Sequence, residues 1–297
     1  MLQHLLEASL RNTTSWLVRP MLNPAVPVGL QRTLTAQAYR SSMAPRGCRF
    51  EQDSLAGIAV IRSGFGETPE QALLYLHGGG YVIGSASTHR GLTGHLAKVS
   101  GCEVFTPDYR LAPEHPFPAA LDDAEAAWMA LIERGFRPEQ MAVAGDSAGG
   151  GLSVALAMRL RDKGLPLPSS ITVFSPWVDL THSRVYSPER EPVLQLRWTE
   201  KCAALYAGTE ALDNPLLSPV FGDLRGLPPI LIQVGSDEIL LNDAERLATA
   251  ARRDGVSTSL EIYNGLWHVF QIHSGQLARA TEAVTTAGNH IRAHLAG

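Results

Sequence analysis

Short runs of consecutive apolar residues, each followed by a longer stretch with helical spacing, recur along the chain. Ala72–Leu76 (ALLYL) and Ile230–Val234 (ILIQV) are of this kind. Unlike strands with one wet face, these runs do not alternate apolar with polar, so they predict strands covered on both faces, the condition of a parallel sheet flanked by helices. Predicted strands are Arg49–Ser54, Gly57–Arg62, Ala72–His77, Glu103–Pro107, Met141–Gly145, Ile171–Ser175, Pro229–Gly235 and Thr258–Tyr263. Between them, helical patterns occupy roughly Thr88–Val99, Ala119–Glu133, Gly149–Lys163, Asn242–Arg253 and Gly275–Leu295. The alternation predicts a doubly wound α/β fold whose mostly parallel central sheet has about eight strands.

Two segments stand outside the alternation. Residues 1–44 are helical in parts and broken by Pro20, Pro24 and Pro27; residues 181–217 carry Trp198, Leu205 and Tyr206. Both hold apolar residues with no strand to pack on. Two readings are open at this point: a cap over an apolar pocket, made of an N-terminal cap segment, 1–44, and a cap insertion at 181–217 within the main domain, 45–297, or ordinary surface helices closing the ends of the core.

Charge and cysteine usage narrow the classes of partner. The net charge of −4, with no Lys/Arg cluster, gives no electrostatic case for nucleic acid. Cys48, Cys102 and Cys202 are far apart and without Cys-x-x-Cys spacing, which suits a cytoplasmic protein with neither a disulfide framework nor a zinc site. The N-terminus carries Glu7, Arg11 and Arg19 inside its apolar stretch, a poor signal peptide, and no uncharged run is long enough to span a membrane.

Chemistry enters at Gly145-Asp146-Ser147-Ala148-Gly149, where a predicted strand stops and a helix begins at once. This Gly-x-Ser-x-Gly arrangement predicts a strained elbow that projects the Ser147 hydroxyl from the sheet edge, with the helix's positive end behind it. Glycines two residues either side of the serine let neighbouring backbone pass close. A nucleophilic Ser147 requires an oxyanion site, an acid and a base. The loop His77-Gly78-Gly79-Gly80 directly follows a strand, and the amides of Gly78 and Gly79 with that of Ala148 are the candidate oxyanion donors. Neither a Gly-x-Gly-x-x-Gly nor a phosphate-loop pattern occurs there. For the acid, Asp237 follows the strand ending at Gly235, with Glu238 and Asp243 as competitors; for the base, His268 follows the last strand, with His273 as its rival. The order Ser, acid, His suits this architecture. No metal-binding spacing is found among the histidines, and no cofactor is expected.

Taken together, the His77–Gly80 and Gly145–Gly150 motifs, Asp108–Glu114 (DYRLAPE), Phe117–Ala120 (FPAA) and Ser175–Leu180 (SPWVDL) resemble the signatures of the hormone-sensitive-lipase-like, bacterial family IV carboxylesterases. The resemblance runs from about Ala72 to His268. It implies the α/β-hydrolase fold with a helical cap, hydrolysis of short to medium acyl esters through an acyl-enzyme, and a homodimer. One departure concerns the acid: the family commonly reads Asp-Pro-Leu where this chain has Asp237-Glu238-Ile239-Leu240. Asp108, Arg110 and Glu114 read as a charged brace for their loop. The same catalytic set would serve a lactonase, amidase or deacetylase, and the fold also carries non-catalytic small-ligand receptors, which the presence of His268 argues against.

Overall fold

The computed structural model describes residues 2–39, 42–66, 70–186 and 189–296. Its centre is an 8-stranded sheet in the order β1-β2-β4-β3-β5-β6-β7-β8. The strands are β1 Arg49–Leu55, β2 Ile58–Gly64, β3 Ala72–Leu76, β4 Glu103–Pro107, β5 Met141–Asp146, β6 Ile171–Phe174, β7 Ile230–Gly235 and β8 Thr258–Tyr263. β1 and β2 form an antiparallel hairpin, and β2 meets β4 antiparallel; from β4 to β8 every pairing is parallel.

Helices cover both faces, as the unbroken apolar runs require. On one face, Leu73 and Tyr75 of β3 pack with Ala142 and Ala144 of β5 against α4 (Arg90–Ser100) and α9 (Ala278–His294). On the other, Leu74 and Leu76 join α5 (Ala119–Glu133) and α6 (Ala148–Asp162), while α8 (Leu241–Arg253) covers β6 and β7. Successive β3 side chains thus enter different cores, each at 0% exposure. At about 25 cal/mol per Å² of apolar surface removed from water, this two-sided burial is the main force fixing strand register.

The N-terminal segment is a nearly continuous helical rod: α1 (Leu2–Thr13), a π-helical turn (Thr14–Val18) and α2 (Arg19–Met21). Pro20 does not break it. It stands in the first turn after the π segment, where its missing N–H costs no regular ladder bond. The break falls instead at Leu22–Pro27, after which α3 (Val28–Ala38) begins with Pro27 as its cap residue. In the 181–217 insertion the regular element is α7 (Leu196–Ala207).

These two segments bond to one another. Trp198 Nε1 donates to Gln31 Oε1 at 3.1 Å, Lys201 Nζ to the Pro24 carbonyl at 2.7 Å and Gln195 Nε2 to the Arg19 carbonyl at 2.7 Å. Arg32 carries α3 down to the catalytic body. It donates to the carbonyls of Val82 (2.8 Å) and Ala112 (2.9 Å) and pairs with Glu114 at 2.7 Å. The DYRLAPE loop is a brace in the structure too, through Arg110–Asp123 at 2.7 Å and Asp108 Oδ1 accepting the Ala86 amide at 2.6 Å. No helix among the described residues is long and apolar enough to cross a membrane.

Candidate active site

Ser147 occupies the turn between β5 and α6 at φ 52°, ψ −121°, a conformation that L residues avoid. The surroundings over-determine it. The Ser147 amide donates to the Phe174 carbonyl at 2.9 Å, and its own carbonyl accepts from Gly151 (3.1 Å) and Trp177 (2.9 Å). A Cβ at Gly149 would stand 2.0 Å from the Leu76 carbonyl oxygen, so only glycine lets the new helix start against β3.

His268, in the loop after β8, reaches this serine: its Nε2 lies 3.0 Å from Ser147 Oγ. Its Nδ1 meets a carboxylate at 2.9 Å, and that carboxylate belongs to Glu238. The expectation of Asp237 in this place is therefore corrected. Asp237 turns outward, where Arg11 approaches its Oδ2 at 3.0 Å and Arg190 its Oδ1 at 3.8 Å. Glu238, with 0% exposure, is enclosed. The cause is side-chain direction along the turn after β7. The Asp237 amide is anchored to the Leu266 carbonyl, sending its side chain towards the N-terminal rod, while the longer Glu238 spans the gap beneath the imidazole. Glu238 Oε1 is held by the Gly235 amide (2.6 Å) and Ser175 Oγ (2.8 Å). The other competitor, Asp243, accepts the amides of Val178 and Asp179, and burial pushes its carboxyl up to about 8.

Burial alone would lower the His268 pKa. The hydrogen bond and charge of Glu238 oppose it, the charges of Glu191 and Asp146 add to that, and the result lies above the ordinary imidazole value. His273 lines a neighbouring cavity of about 80 Å³, and burial lowers its imidazole to about 4.

The glycine loop also departs from expectation in one position. The Gly78 amide donates to Asp146 Oδ1 at 3.0 Å, so it is already occupied and is not aimed at a substrate oxygen. Gly79 and Gly80 line the cavity beside Ser147, and their amides, like that of Ala148, meet no acceptor among the described residues. Gly79 sits at φ 125°, and a Cβ there would stand 2.2 Å from the Ile83 carbonyl oxygen.

His77 lies beneath the loop, whereas Asp146, next to Ser147, borders the cavity and holds the loop from below. The His77 Nδ1–H donates to the Gly78 carbonyl at 2.8 Å and the ring stacks on Tyr109 at 4.2 Å; burial lowers its pKa to about 3, so it is neutral. Asp146 Oδ1 also accepts Tyr75 Oη–H at 2.7 Å and lies 3.3 Å from His89 Nε2. Nothing in the local sequence of His89 marks it; only the fold brings it under β5.

The cavity against Ser147 has a volume of about 30 Å³ and is walled by Leu22, Ile83, Leu194 and Trp198. Its roof therefore comes from both the N-terminal rod and the insertion. Among the described residues no cluster of His, Cys, Asp and Glu could hold a metal ion.

Comparison with known proteins agrees with this architecture. Residues 73–272 match the family described by its alpha/beta hydrolase fold. An acetyl-hydrolase of Streptomyces hygroscopicus is 43% identical over 226 residues, 75% of this chain and 75% of that one. An esterase of Acinetobacter venetianus is 35% identical over 72% of each chain. The crystal structure of an esterase from the bacterial hormone-sensitive lipase family superimposes with a TM-score of 0.90 at 36% identity, covering 96% of this chain and 98% of the other. With its mostly parallel sheet, serine elbow and glycine loop in the order the family carries them, the chain belongs to the hormone-sensitive-lipase-like esterases of the alpha/beta hydrolase superfamily.

Proposed function

We infer that this enzyme hydrolyses small acyl esters, acetyl esters foremost, with Ser147 as nucleophile, His268 as general base and Glu238 as the acid that orients it. The observation that carries the reading is the enclosed relay Ser147–His268–Glu238 at 3.0 and 2.9 Å, beside amides that have no protein acceptor. His268 Nε2 takes the Ser147 proton as Oγ attacks the ester carbonyl carbon. The alkoxide that develops is met by the amides of Gly79, Gly80 and Ala148, with the N-terminal dipole of α6 behind them. Collapse expels the alcohol, which leaves with the proton from His268. Water, deprotonated by the same nitrogen, then attacks the acyl-enzyme and releases the acid and the free serine. Glu238 holds the Nδ1–H tautomer and stabilises the imidazolium without taking the proton.

The N-terminal segment, 1–44, and the 181–217 insertion serve as the cap over this site in the same reading. The cavity of about 30 Å³ beside Ser147, bounded by Trp198 and Leu22 and adjoined at His268 by the one of about 80 Å³, supports a small acyl group over a long chain. The name of the Streptomyces acetyl-hydrolase supports the same substrate class. A panel of aryl acetate, butyrate and octanoate, with a lactone and an acetanilide alongside, tests it. The acetate and butyrate should be turned over fastest and the octanoate at least tenfold more slowly, with all activity lost in Ser147→Ala. Faster turnover of the anilide or lactone would move the assignment to amidase or lactonase. Inertness of the wild type on every compound would leave a binding protein.

A further inference from the structure

Glu191, in the insertion, is a carboxyl group at 2% exposure for which no cation stands as partner among the described residues. Burying an ionisable group in this way is costly unless something nearby repays it. Its oxygens accept main-chain amides: Oε1 from Val193 at 2.7 Å and Oε2 from Ile239 at 3.1 Å. Ile239 follows Glu238 directly, so this bond ties the insertion to the turn that carries the acid. On the other side, the Glu191 carbonyl is held by the Arg19 guanidinium of the N-terminal rod.

We propose that Glu191 is a positioning residue for the catalytic relay: it fixes the turn bearing Glu238 through the Ile239 amide, and its charge favours the His268 imidazolium formed when Ser147 loses its proton. The inference rests on His268 being the base. A glutamine has one acceptor oxygen and could keep the Ile239 contact but not both; only a carboxylate accepts both amides and supplies the charge.

The charged groups around it are few. Glu238 acts on it from the turn after β7 and His268 from the loop after β8. Arg19 from the rod meets its main chain, as Arg11 meets that of Arg190. Burial raises the Glu191 carboxyl to about 7, with His268 pulling it down and Glu238 pushing it up. The coupling is mutual, since the Glu191 charge is among the causes that raise His268. The sign follows. Ionised Glu191 favours the protonated imidazole, so removing the charge lowers the His268 pKa and keeps the base neutral to lower pH.

The test is the pH profile of kcat/KM on an aryl acetate for wild type, Glu191→Gln and Glu191→Asp, with thermal unfolding to confirm that each is folded. In Glu191→Gln the plateau should fall roughly tenfold, carried by kcat rather than KM, and the acidic limb should move to lower pH by about half a unit or more. Glu191→Asp should keep its limb near the wild-type position, whatever its shorter reach does to the plateau. If the Gln variant does not fold, Glu191→Met removes the charge at similar volume together with the bond to the Ile239 amide, and its acidic limb should move the same way. An unmoved limb in the uncharged variant, or the same displacement in Glu191→Asp, would reduce Glu191 to a structural tie and overturn the proposal. His268→Asn separates the two readings: activity surviving that change removes the base assignment itself, whereas activity lost there with an unmoved Glu191→Gln limb removes only the role of Glu191.

Discussion

Which side chain meets His268 is decided by one position in the turn after β7. Asp237 and Glu238 are both carboxylates, both follow the strand, and the family habit favours an aspartate. Sequence spacing cannot separate neighbours in a turn, because the decisive quantity is the direction of each Cα–Cβ bond. That direction is set by the bond from the Asp237 amide to the Leu266 carbonyl, a contact between loops distant in sequence. The same limit applies to the oxyanion loop. Its glycines and place after β3 could be read directly, whereas the capture of the Gly78 amide by Asp146 could not. Ser147 is the one serine of its elbow and His268 has its rival, His273, five residues further on, whereas the acid has a rival one residue away. Steady-state kinetics on an aryl acetate should therefore show Glu238→Gln lowering kcat on the order of 10⁴-fold, as loss of the tautomer-holding carboxylate does in serine triads. Asp237→Asn should cost fivefold or less, the scale of a partly exposed ion pair. The reverse ranking would return the acid role to Asp237.

At the scale of elements, the strands were readable because both faces of the sheet are covered. A run such as Ala72–Leu76 has to be apolar at every position, which needs no knowledge of its partners. The N-terminal rod was less readable. Pro20 suggests a break, yet the π turn ahead of it absorbs the missing donor, and nothing local in the sequence announces a π turn. The elbow between β5 and α6 is closely packed against the backbone of β3, and its tolerance can be measured. Adding a methyl group at Gly149 would press a Cβ against the backbone oxygen of Leu76, which belongs to the central sheet and cannot move aside as a flexible side chain would. Gly149→Ala should cost on the order of 3 kcal/mol or more. In a chain of this length that corresponds to roughly 6–12 °C in Tm. Differential scanning calorimetry with parallel activity assays checks it. A variant with unchanged Tm and full turnover would mean that α6 can start elsewhere, and that the glycine is not what shapes the nucleophile turn.

Across the whole molecule, the rod, the insertion and the two catalytic loops converge on the guanidinium of Arg11. It meets Asp237 Oδ2 at 3.0 Å in the acid turn, the Gly265 carbonyl at 3.2 Å ahead of His268 and the Arg190 carbonyl at 2.8 Å next to Glu191. Asp237 thus fastens the N-terminal rod to the turn after β7 and does not meet His268. Because Arg11 is 31% exposed, the pair is screened by solvent, and its direct worth is at most about 1 kcal/mol. It nonetheless joins three separate segments, so its loss is expected to be felt at the site. Arg11→Ala and Asp237→Asn should each reduce kcat/KM by about two- to fivefold. If they remove one shared latch, the double variant should be no worse than the poorer single, because the second change finds nothing left to break. Salt supplies an independent reading. Raising ionic strength from about 0.01 M to 1 M shortens the screening length from about 30 Å to 3 Å, so wild-type kcat/KM should drift towards that of the variants while theirs changes little. Additive losses in the double variant, with the same salt response in all of the proteins, would show that the rod stays closed without Arg11. Closure would then rest on the buried bond between Trp198 and Gln31, and Gln31→Ala would become the variant that opens the cap.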